Sequence, residues 1–261
     1  MDQDKLSPSL GAPGTAVIIT GGASGIGLAS AQALAAVGRN VALWDIDGDK
    51  ARAQADAIVS RFGTKTLAIA IDLTDIAAYP AAIDASRAAL GPLGGLVHAA
   101  GIVDMGSLEG ITPQSWDAGI NTHLRPLALL TQQLYGDFAA NPGSSVVGIA
   151  SINATLGNAV NPIYSAAKGG MLSLVRALAD RLAHDNIRIN AVSPGQIRTP
   201  MMQPAVDNLP EGWFERRILL ERLGDPEEIG RVVRFLLSNE ASYVTAAELV
   251  VDGGNISSQR Q

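Results

Sequence analysis

Tyr164 and Lys168 are the residues of this chain whose types and spacing point most directly to chemistry. They stand four positions apart in the segment YSAAK, and in a helix of 3.6 residues per turn this spacing places both side chains on one face. A free phenol has a pKa of about 10 and is a poor base near neutral pH, but a cation held close to it favours the phenolate. The pair therefore predicts a proton-transfer site, although an exposed helical pair would show the same spacing.

A glycine-rich turn near the start of the chain indicates a phosphate site. Residues 15–20, TAVIIT, are typical of a buried parallel strand, and they run into GGASGIG at 21–27 and then into an Ala-rich helical stretch that stops at Gly38. Glycine allows a sharp turn and a close approach of the backbone to a pyrophosphate, and the start of a helix offers free N–H groups. Such a turn alone is weak evidence, but the strand and helix around it favour a dinucleotide site.

Asp45 ends the next predicted strand, 18 residues beyond Gly27. A carboxylate at this point can accept hydrogen bonds from an adenosine ribose, and it repels the 2′-phosphate that distinguishes NADP from NAD. The alternative is an Asp that opens the turn at 45–48 or caps the helix after it. Because the dinucleotide fingerprint expects an acid at about this separation, we expect NAD(H) as the cofactor.

Strands and helices alternate along the whole chain. Strands are predicted near 15–20, 40–45, 66–71, 94–98, 145–150, 187–192 and 247–251, and helices near 25–37, 48–61, 75–90, 115–139, 162–184 and 226–238. Such alternation implies an α/β fold, a Rossmann-like doubly wound parallel sheet of about seven strands with helices on both faces. Ligands of these folds bind beyond the carboxyl ends of the strands, where the glycine turn and Asp45 would meet.

Taken together, these motifs resemble the short-chain dehydrogenase/reductase family, and the resemblance covers nearly the whole chain. TGGASGIG at 20–27 is similar to the family's TGxxxGxG motif, and Ser151 precedes Tyr164 by 13 residues, as the family's serine precedes its tyrosine. The resemblance implies a catalytic tetrad of Asn121, Ser151, Tyr164 and Lys168. The cofactor-binding residues that it implies are Gly21, Ser24, Gly25, Ile26, Gly27, Asp45, Ile46, Asp72, Leu73, Ala99, Ala100, Gly101, Tyr164, Lys168, Pro194, Gly195, Ile197 and Thr199.

The same resemblance implies a role for each member of the tetrad. Tyr164 would exchange the proton of the substrate hydroxyl, while Lys168 would lower the pKa of the phenol and hold the nicotinamide ribose. Ser151 would orient and polarise the substrate oxygen, and Asn121 would position a water that links Lys168 to solvent. Each residue also has a structural interpretation, as a strand-end hydroxyl, a turn cap or a solvated helix residue.

The chain departs from the family pattern at two places. His98-Ala99-Ala100-Gly101 stands where the family has Asn-Asn-Ala-Gly, so His98 must take over the bracing of the central sheet by the first Asn, or that bracing is lost. Because His98 ends an apolar strand, we expect a hydrogen-bonded structural histidine. Ala150 leaves Ser151 as the only hydroxyl at its strand end.

The segment 199–220 interrupts the alternation and reads as an apolar lid over the substrate. Flexible Met and flat Trp or Phe side chains suit a bulky apolar or cyclic substrate, although they could equally pack on the protein itself or on a partner subunit. The candidate substrate contacts are Ser151, Asn153, Gln196, Met201, Met202 and Trp213.

Composition agrees with a cytoplasmic enzyme of one domain. The 261 residues are 47% hydrophobic, enough for one large core, which we place at 15–261 behind a flexible N-terminal tail at 1–14. The chain has no cysteine and three histidines without metal-ligand spacing, so no metal site is expected. A formal charge of −6 without a basic run argues against nucleic acid and anionic membranes, and no segment resembles a signal peptide or a transmembrane span.

These observations predict an NAD(H)-dependent oxidoreductase that interconverts a secondary alcohol and a ketone, with Tyr164 as the general acid/base. The first alternative is a 3-oxoacyl-thioester (acyl carrier protein) reductase on the same fold, against which Asp45 counts because such reductases usually use NADPH. The second alternative is a nucleotide-binding sensor without catalysis, against which the complete tetrad counts. The broad apolar surface of the helix at 162–184 predicts a homo-oligomer, and the family resemblance suggests a tetramer.

Overall fold

A parallel sheet forms the centre of the molecule. The computed structural model describes residues 7–257, and within them seven strands pair in parallel in the order β3-β2-β1-β4-β5-β6-β7. The strands are β1 (Ala16–Thr20), β2 (Val41–Asp45), β3 (Thr66–Ala70), β4 (Leu93–His98), β5 (Ser145–Ile149), β6 (Arg188–Pro194) and β7 (Glu248–Val251). The order reverses between β1 and β4, and this is where open α/β sheets bind their ligands.

Helices cover both faces of the sheet. They are α1 (Gly25–Ala35), α2 (Gly48–Phe62), α3 (Tyr79–Leu90), α4 (Pro113–His123), α5 (Arg125–Gln133), α6 (Tyr135–Ala140), α7 (Asn153–Leu156), α8 (Pro162–Ala183), α9 (Gln203–Asn208) and α10 (Pro226–Leu236). Alternate side chains of β1 point to opposite faces, so Ile18 packs in the core beneath α3, α5 and α8, whereas Val17 and Ile19 pack beneath α1, α2 and α10. The predicted doubly wound α/β fold is confirmed.

The helix predicted at 115–139 is three helices in the structure. Its first break is at Leu124, between α4 and α5, where φ is −107°. Pro126 follows within the first turn of α5, and since proline has no N–H it cannot bond the carbonyl four residues earlier. This break places the last carbonyls of α4 next to the end of β4, where a side chain can bond them.

The described part of the predicted tail is attached to the body of the protein. Residues 1–6 lie outside the described residues, but the backbone N–H of Ser9 donates to Glu240 at 2.8 Å, and the N–H of Asn239 donates to the carbonyl of Ala12 at 3.2 Å. These hydrogen bonds attach residues 9–12 to the segment around Asn239 and Glu240, and the flexibility of the tail stays a prediction. Across residues 7–257, no helix is long and apolar enough to cross a bilayer.

Candidate active site

The glycine turn after β1 forms a cradle that only glycine can build. Gly21 has φ of 67°, and a Cβ on it would lie 2.8 Å from the backbone of Ala100. A Cβ on Gly27 would lie 2.0 Å from the carbonyl oxygen of Gly21, so no side chain fits there either. The turn therefore lies directly against the loop that follows β4, and its backbone can approach a ligand closely.

The start of α1 is left open for an anion. Ser24 is the N-cap residue, but its side chain makes no capping hydrogen bond, and the first turn of α1 has no acidic residue. The N–H groups of this turn are thus available, together with the positive end of the helix dipole. Thr199 covers the turn from the other side, because a Cβ on Gly25 would lie 3.3 Å from its methyl group. The predicted glycine motif therefore fits the pyrophosphate of a dinucleotide.

Asp45 lies at the carboxyl end of β2 with its carboxylate turned towards the glycine turn. Oδ2 accepts from the N–H of Ala23 at 3.0 Å, and Oδ1 accepts from the N–H of Asp47 at 3.1 Å. Asp45 thus opens the turn after β2, as the alternative interpretation held, but it does not cap α2, since that role belongs to Asp47, which accepts from the N–H of Lys50. A carboxylate has about four lone-pair positions, so two hydrogen bonds leave room for ribose hydroxyls.

The remaining cofactor candidates lie at the ends of neighbouring strands. Asp72 is exposed after β3, and hydrogen bonds from the backbone and the hydroxyl of Thr74 lower the pKa of its carboxyl group. The N–H groups of Ala99 and Ala100 point at Thr20 Oγ1, at 3.2 and 3.4 Å. Leu73 is buried, while Ile46 is exposed beside Asp45.

His98 braces the sheet at the position of the missing asparagine. Its Nδ1 lies 2.8 Å from Thr20 Oγ1, and its Nε2 lies 2.9 Å from the carbonyl oxygen of His123 at the end of α4. Because Thr20 Oγ1 accepts from the backbone of Ala99, its hydrogen is free to donate to Nδ1, and Nε2–H then donates to His123. Burial lowers the pKa of His98 to about 3, so the imidazole is neutral at physiological pH. The expected structural histidine is what the contacts show.

Ser151 and Tyr164 meet beyond the carboxyl end of β5. The Ser151 hydroxyl is hydrogen-bonded to the Tyr164 phenol, and its Oγ also accepts from the N–H of Asn153 at 3.1 Å. Burial raises the pKa of Tyr164, and the hydrogen bond from Ser151 acts in the opposite direction. The expectation that the phenol is shifted below its ordinary pKa is therefore wrong for the protein by itself, because desolvation outweighs the hydrogen bond from Ser151.

Lys168 is buried one helical turn beyond Tyr164. Its side chain is 3% exposed, and its Nζ donates to the carbonyl oxygen of Ile149 at 2.5 Å. Nζ also lies 5.5 Å from the centre of the Tyr164 ring. Burial lowers the pKa of Lys168 to about 7. The shared helix face that the spacing predicted is thus present, and a lysine that titrates near neutral pH lies beside the phenol.

His123 is the α4 residue whose ring contacts Tyr164. The face of α4 that packs on α8 carries Gly119, whose added Cβ would lie 2.5 Å from Ile163, and four residues later His123. The His123 ring meets the Tyr164 ring edge-on, with centres 5.2 Å apart and planes at 90°. Asn121 lies two residues before His123 on the same helix and is partly buried. The Asn121 role remains a prediction.

The segment after β6 closes the other side of the site. The carbonyl of Pro194 accepts from the N–H of Ile152 at 3.1 Å, and Gly195 donates to Val251 at 3.0 Å. Ile197 forms a parallel bridge with Gly224, and the carbonyl of Gln196 accepts from the N–H of Gly224. An open groove of about 600 Å³ follows, lined by Arg198, Thr199, Pro200, Gln203, Pro204 and Asp207.

The predicted lid contains α9 and a short 3-10 helix at Glu215–Arg217. Met201 is 48% exposed. The Trp213 ring is stacked with the guanidinium groups of Arg216 and Arg217, at 5.1 and 4.8 Å. Trp213 also lines a cavity of about 230 Å³ within the lid itself. These contacts tie Trp213 to its own segment, so its predicted contact with a substrate remains a prediction, as do those of Met201 and Met202.

Comparison with known proteins agrees with this site. The family model described as enoyl-(acyl carrier protein) reductase matches residues 21–255, which contain the glycine cradle and the Ser151, Tyr164 and Lys168 group. The chain belongs to the short-chain dehydrogenase/reductase family. Members of this family bind a nicotinamide cofactor, and the chain is accordingly an oxidoreductase.

Relatives in this family act on different substrates. An acetoacetyl-CoA reductase of Shinella zoogloeoides is 35% identical over 91% of this chain and 96% of that protein. A trans-4-hydroxycyclohexanecarboxylate dehydrogenase of Sinomonas cyclohexanicum is 36% identical over 91% of each chain. The crystal structure of L-sorbose reductase from Gluconobacter frateurii, in complex with NADPH and L-sorbose, has a TM-score of 0.89 at 26% identity, covering 96% of this chain and 99% of that one.

Two residues beside Tyr164 were not anticipated from the sequence. His123 reaches the phenol from α4, and Asp104 bonds the first turn of α8 from the loop after β4. The proline at 126 was a signal for His123, because it fixes where α4 breaks. Asp104 had no such signal, since a loop carboxylate that bonds a helix 60 residues later leaves no periodic pattern.

Within residues 7–257, no group of His, Asp and Glu could hold a metal ion.

Proposed function

We propose that the protein is an NAD(H)-dependent oxidoreductase that interconverts a secondary alcohol and a ketone on an apolar or cyclic substrate. The observation that carries this proposal is the convergence of Ser151, Tyr164 and Lys168 beyond the end of β5. The serine hydroxyl is bonded to the phenol, and the buried ammonium lies 5.5 Å from the phenol ring. A hydroxyl, a transferable proton and a titratable amine are the groups that an alcohol oxygen needs around it.

Each of these side chains would act on the substrate oxygen. Ser151 would donate a hydrogen bond to that oxygen and so hold it beside the phenol, a contact worth about 3–4 kcal/mol in a transition state. Tyr164 would take the hydroxyl proton in the oxidation and return it in the reduction. Lys168, with a pKa of about 7, would gain or lose a proton beside the phenol and would stay in the buried site. A nicotinamide cofactor whose pyrophosphate is held by the glycine cradle would take or give the hydride.

We propose NAD(H) rather than NADP(H) because of the charges around Asp45. Ile46 and Asp47 follow it, and residues 22–24 of the glycine turn include no cation, so a 2′-phosphate would meet the carboxylates of Asp45 and Asp47 without a cation from these neighbours. Like charges brought together in a partly desolvated site cost several kcal/mol, which corresponds to a preference of about 100-fold or more for NAD(H). Ribose hydroxyls, in contrast, would donate to the free lone pairs of Asp45.

Apolar side chains around the entrance support the substrate class. Exposed side chains of this type follow β4 and β5 and continue in the lid: Ile102, Val103, Met105, Leu108, Leu156, Val160, Met201, Leu209 and Leu219. Such side chains are costly to leave in water and suit a ring or an alkyl chain. The cyclohexanecarboxylate dehydrogenase among the relatives has a substrate of this kind.

The second candidate is a 3-oxoacyl-thioester reductase. The acetoacetyl-CoA reductase is as similar to this chain as the cyclohexanecarboxylate enzyme, and the same Ser151 and Tyr164 would hold a 3-oxo group. A sensor without catalysis is less favoured, because the Ser151, Tyr164 and Lys168 group is assembled.

We also propose a homotetramer with α4 and α8 in the interface, since Trp116 on α4 is 44% exposed. Light scattering that reports only a 27.0 kDa monomer would contradict this proposal.

A panel assay at 340 nm tests the proposal. Cyclohexanol, trans-4-hydroxycyclohexanecarboxylate, L-sorbose and acetoacetyl-CoA are each offered with both cofactors, and kcat/KM is measured for every pair. The proposal expects turnover of a cyclic alcohol and a preference for NAD(H) that narrows in Asp45→Ala. Turnover of acetoacetyl-CoA alone would favour the thioester reductase, and equal use of both cofactors would show that Asp45 is only a turn residue.

A further inference from the structure

The loop between β4 and α4, residues 99–112, contacts Tyr164 through Asp104, and it also bonds His123 of α4, whose ring contacts the Tyr164 ring. We propose that Asp104 and His123 are positioning residues for Tyr164, with Asp104 fixing its main chain and His123 fixing its ring. The inference rests on the proposed acid/base role of Tyr164, and it assigns to two further residues the task of keeping the phenol in place.

Asp104 provides the cap that α8 lacks. The N-cap residue of α8, Asn161, makes no capping hydrogen bond with its side chain. Asp104 Oδ1 accepts instead from the N–H of Tyr164 at 2.9 Å, and Oδ2 accepts from the N–H of Ile163 at 3.3 Å. A carboxylate is favourable at a helix N-terminus because the helix dipole is positive there. The backbone of the proposed catalytic residue is therefore held by a side chain from another loop.

His123 holds the other end of Tyr164. It is 1% exposed, its ring edge meets the phenol ring, and its Nε2 lies 2.7 Å from the carbonyl oxygen of Ile102. Its carbonyl accepts from His98, as described above, so the imidazole is fixed from both its ring and its backbone. A Cβ on Gly101 would lie 2.4 Å from the ring, which leaves the imidazole no room to turn away. Edge-to-face contact between two fixed rings sets the orientation of the phenol.

Both anchors depend on one short stretch of chain. Ile102, which bonds His123, and Asp104, which bonds Tyr164, are two residues apart. They follow Ala100, whose backbone lies against Gly21 of the glycine cradle. A second tie joins the same loop to the segment before α8, where the N–H of Ser107 donates to Val160 at 3.1 Å. The β4–α4 loop thus sets the position of Tyr164 relative to the cofactor site. Displacement of a reacting group by about 1 Å can cost 100-fold in rate, so such anchors matter for catalysis.

The competing interpretation is that both residues only stabilise the fold. If the residues only stabilise the fold, their replacement should lower the melting temperature and leave kcat of the folded enzyme unchanged. If they position Tyr164, their replacement should lower kcat. Variants are therefore compared by kcat, by KM, by melting temperature and by the Kd of NADH from its fluorescence, using the best substrate of the panel described above.

Asp104 is tested with a graded pair and a matched control. In Asp104→Ala, kcat should fall about tenfold or more, because the first turn of α8 loses its acceptor, while the Kd of NADH stays within about threefold. Asp104→Asn keeps one amide oxygen for the N–H of Tyr164 and should restore most of kcat. The control is Asp75→Ala, which removes a carboxylate that accepts from the N–H of Ala77 at 3.1 Å at another helix start, and it should leave kcat unchanged.

His123 is tested by separating its ring from its hydrogen bond. Gln places its Nε2 as many bonds from Cα as His does, so His123→Gln keeps a donor for the Ile102 carbonyl but removes the ring. We expect His123→Gln to lose about tenfold in kcat at an almost unchanged melting temperature. His123→Ala should lose both kcat and melting temperature.

Two results distinguish failure of the positioning role from failure of the proposed function. If Asp104→Ala and His123→Gln keep kcat within about twofold of the parent while Tyr164→Phe is inactive, the anchors are structural and only the positioning role is wrong. If Tyr164→Phe itself keeps near-parent activity, the proposed base is wrong, and the fault lies with the proposed function rather than with the anchors.

Discussion

Replacing Lys168 by Met should make the protein more stable and inactive at the same time. Lys168 is fully enclosed, and its burial lowers its pKa from 10.5 to about 7. At about 1.4 kcal/mol per pKa unit, a charged Lys168 costs the folded state roughly 5 kcal/mol at a pH below 7. Methionine fills the same space with an unbranched apolar chain and carries no such cost.

One contact reduces this gain. The Lys168 ammonium donates to the carbonyl of Ile149, and an unpaired buried carbonyl costs about 1–3 kcal/mol. Subtracting this cost from the gain of about 5 kcal/mol leaves a net increase of roughly 2–4 kcal/mol in the free energy of unfolding at pH 6.

The pH dependence has a definite sign. Between pH 7 and pH 10.5, the unfolded chain keeps the Lys168 proton while the folded protein has lost it, so the unfolded state binds more protons. The stability of the parent then rises with pH in this window, by up to about 1.4 kcal/mol per unit, whereas the Met variant lacks this contribution. The advantage of Lys168→Met should be complete below pH 7 and should shrink as the pH rises above 7. Near pH 10.5 the variant should be less stable than the parent by about 1–3 kcal/mol, because only the cost of the unpaired Ile149 carbonyl remains.

Urea denaturation of the parent and Lys168→Met at pH 6 and pH 9.5 measures this effect. Lys65→Met is the matched control, because Lys65 is exposed and its replacement should shift stability by the same small amount at both pH values. A Lys168→Met variant that is less stable than the parent at pH 6, or whose difference from the parent does not change with pH, would refute the argument that burial of this charge dominates.

Two further substitutions test the packing around the site. Thr20→Val keeps the shape of Thr20 but removes the oxygen that His98, Ala99 and Ala100 share, so the free energy of unfolding should fall by about 2–4 kcal/mol. The control Thr66→Val should change the free energy of unfolding little, and equal losses in the two variants would contradict the bracing role of His98. Gly101→Ala should destabilise the protein by about 1–3 kcal/mol, because its Cβ would lie 2.4 Å from the His123 ring. This loss of stability should largely disappear in the His123→Ala background. Additive losses in a double-mutant cycle would show that the two residues are independent.

The sequence predicted the elements whose patterns are local. The strand, glycine turn and helix at 15–37 could be predicted because each depends on neighbouring residues. For the same reason, the YSAAK spacing placed Tyr164 and Lys168 on one helix face. The side of the sheet where these groups meet followed from the alternation of strands and helices. These features are confirmed by the structure.

What the sequence did not predict depends on contacts between distant residues. The contact of the His123 ring with Tyr164 joins α4 to α8 across 41 residues of chain, so no local pattern shows it. The pKa of Tyr164 could not be foreseen because it depends on how much water the folded site excludes. Trp213 belongs to a lid whose arginines, 216 and 217, stack on it, a contact that hydrophobicity alone does not reveal.

The central claim is that Tyr164 exchanges the proton of the substrate, and Tyr164→Phe tests it most directly. The variant keeps the ring that packs against His123, so it should fold and bind NADH with a Kd close to that of the parent. Its kcat on the best substrate of the panel should fall by at least about 100-fold, since general acid–base catalysis contributes 10²–10⁴-fold. NADH binding with activity within a few-fold of the parent would contradict the assignment of Tyr164 as the acid/base.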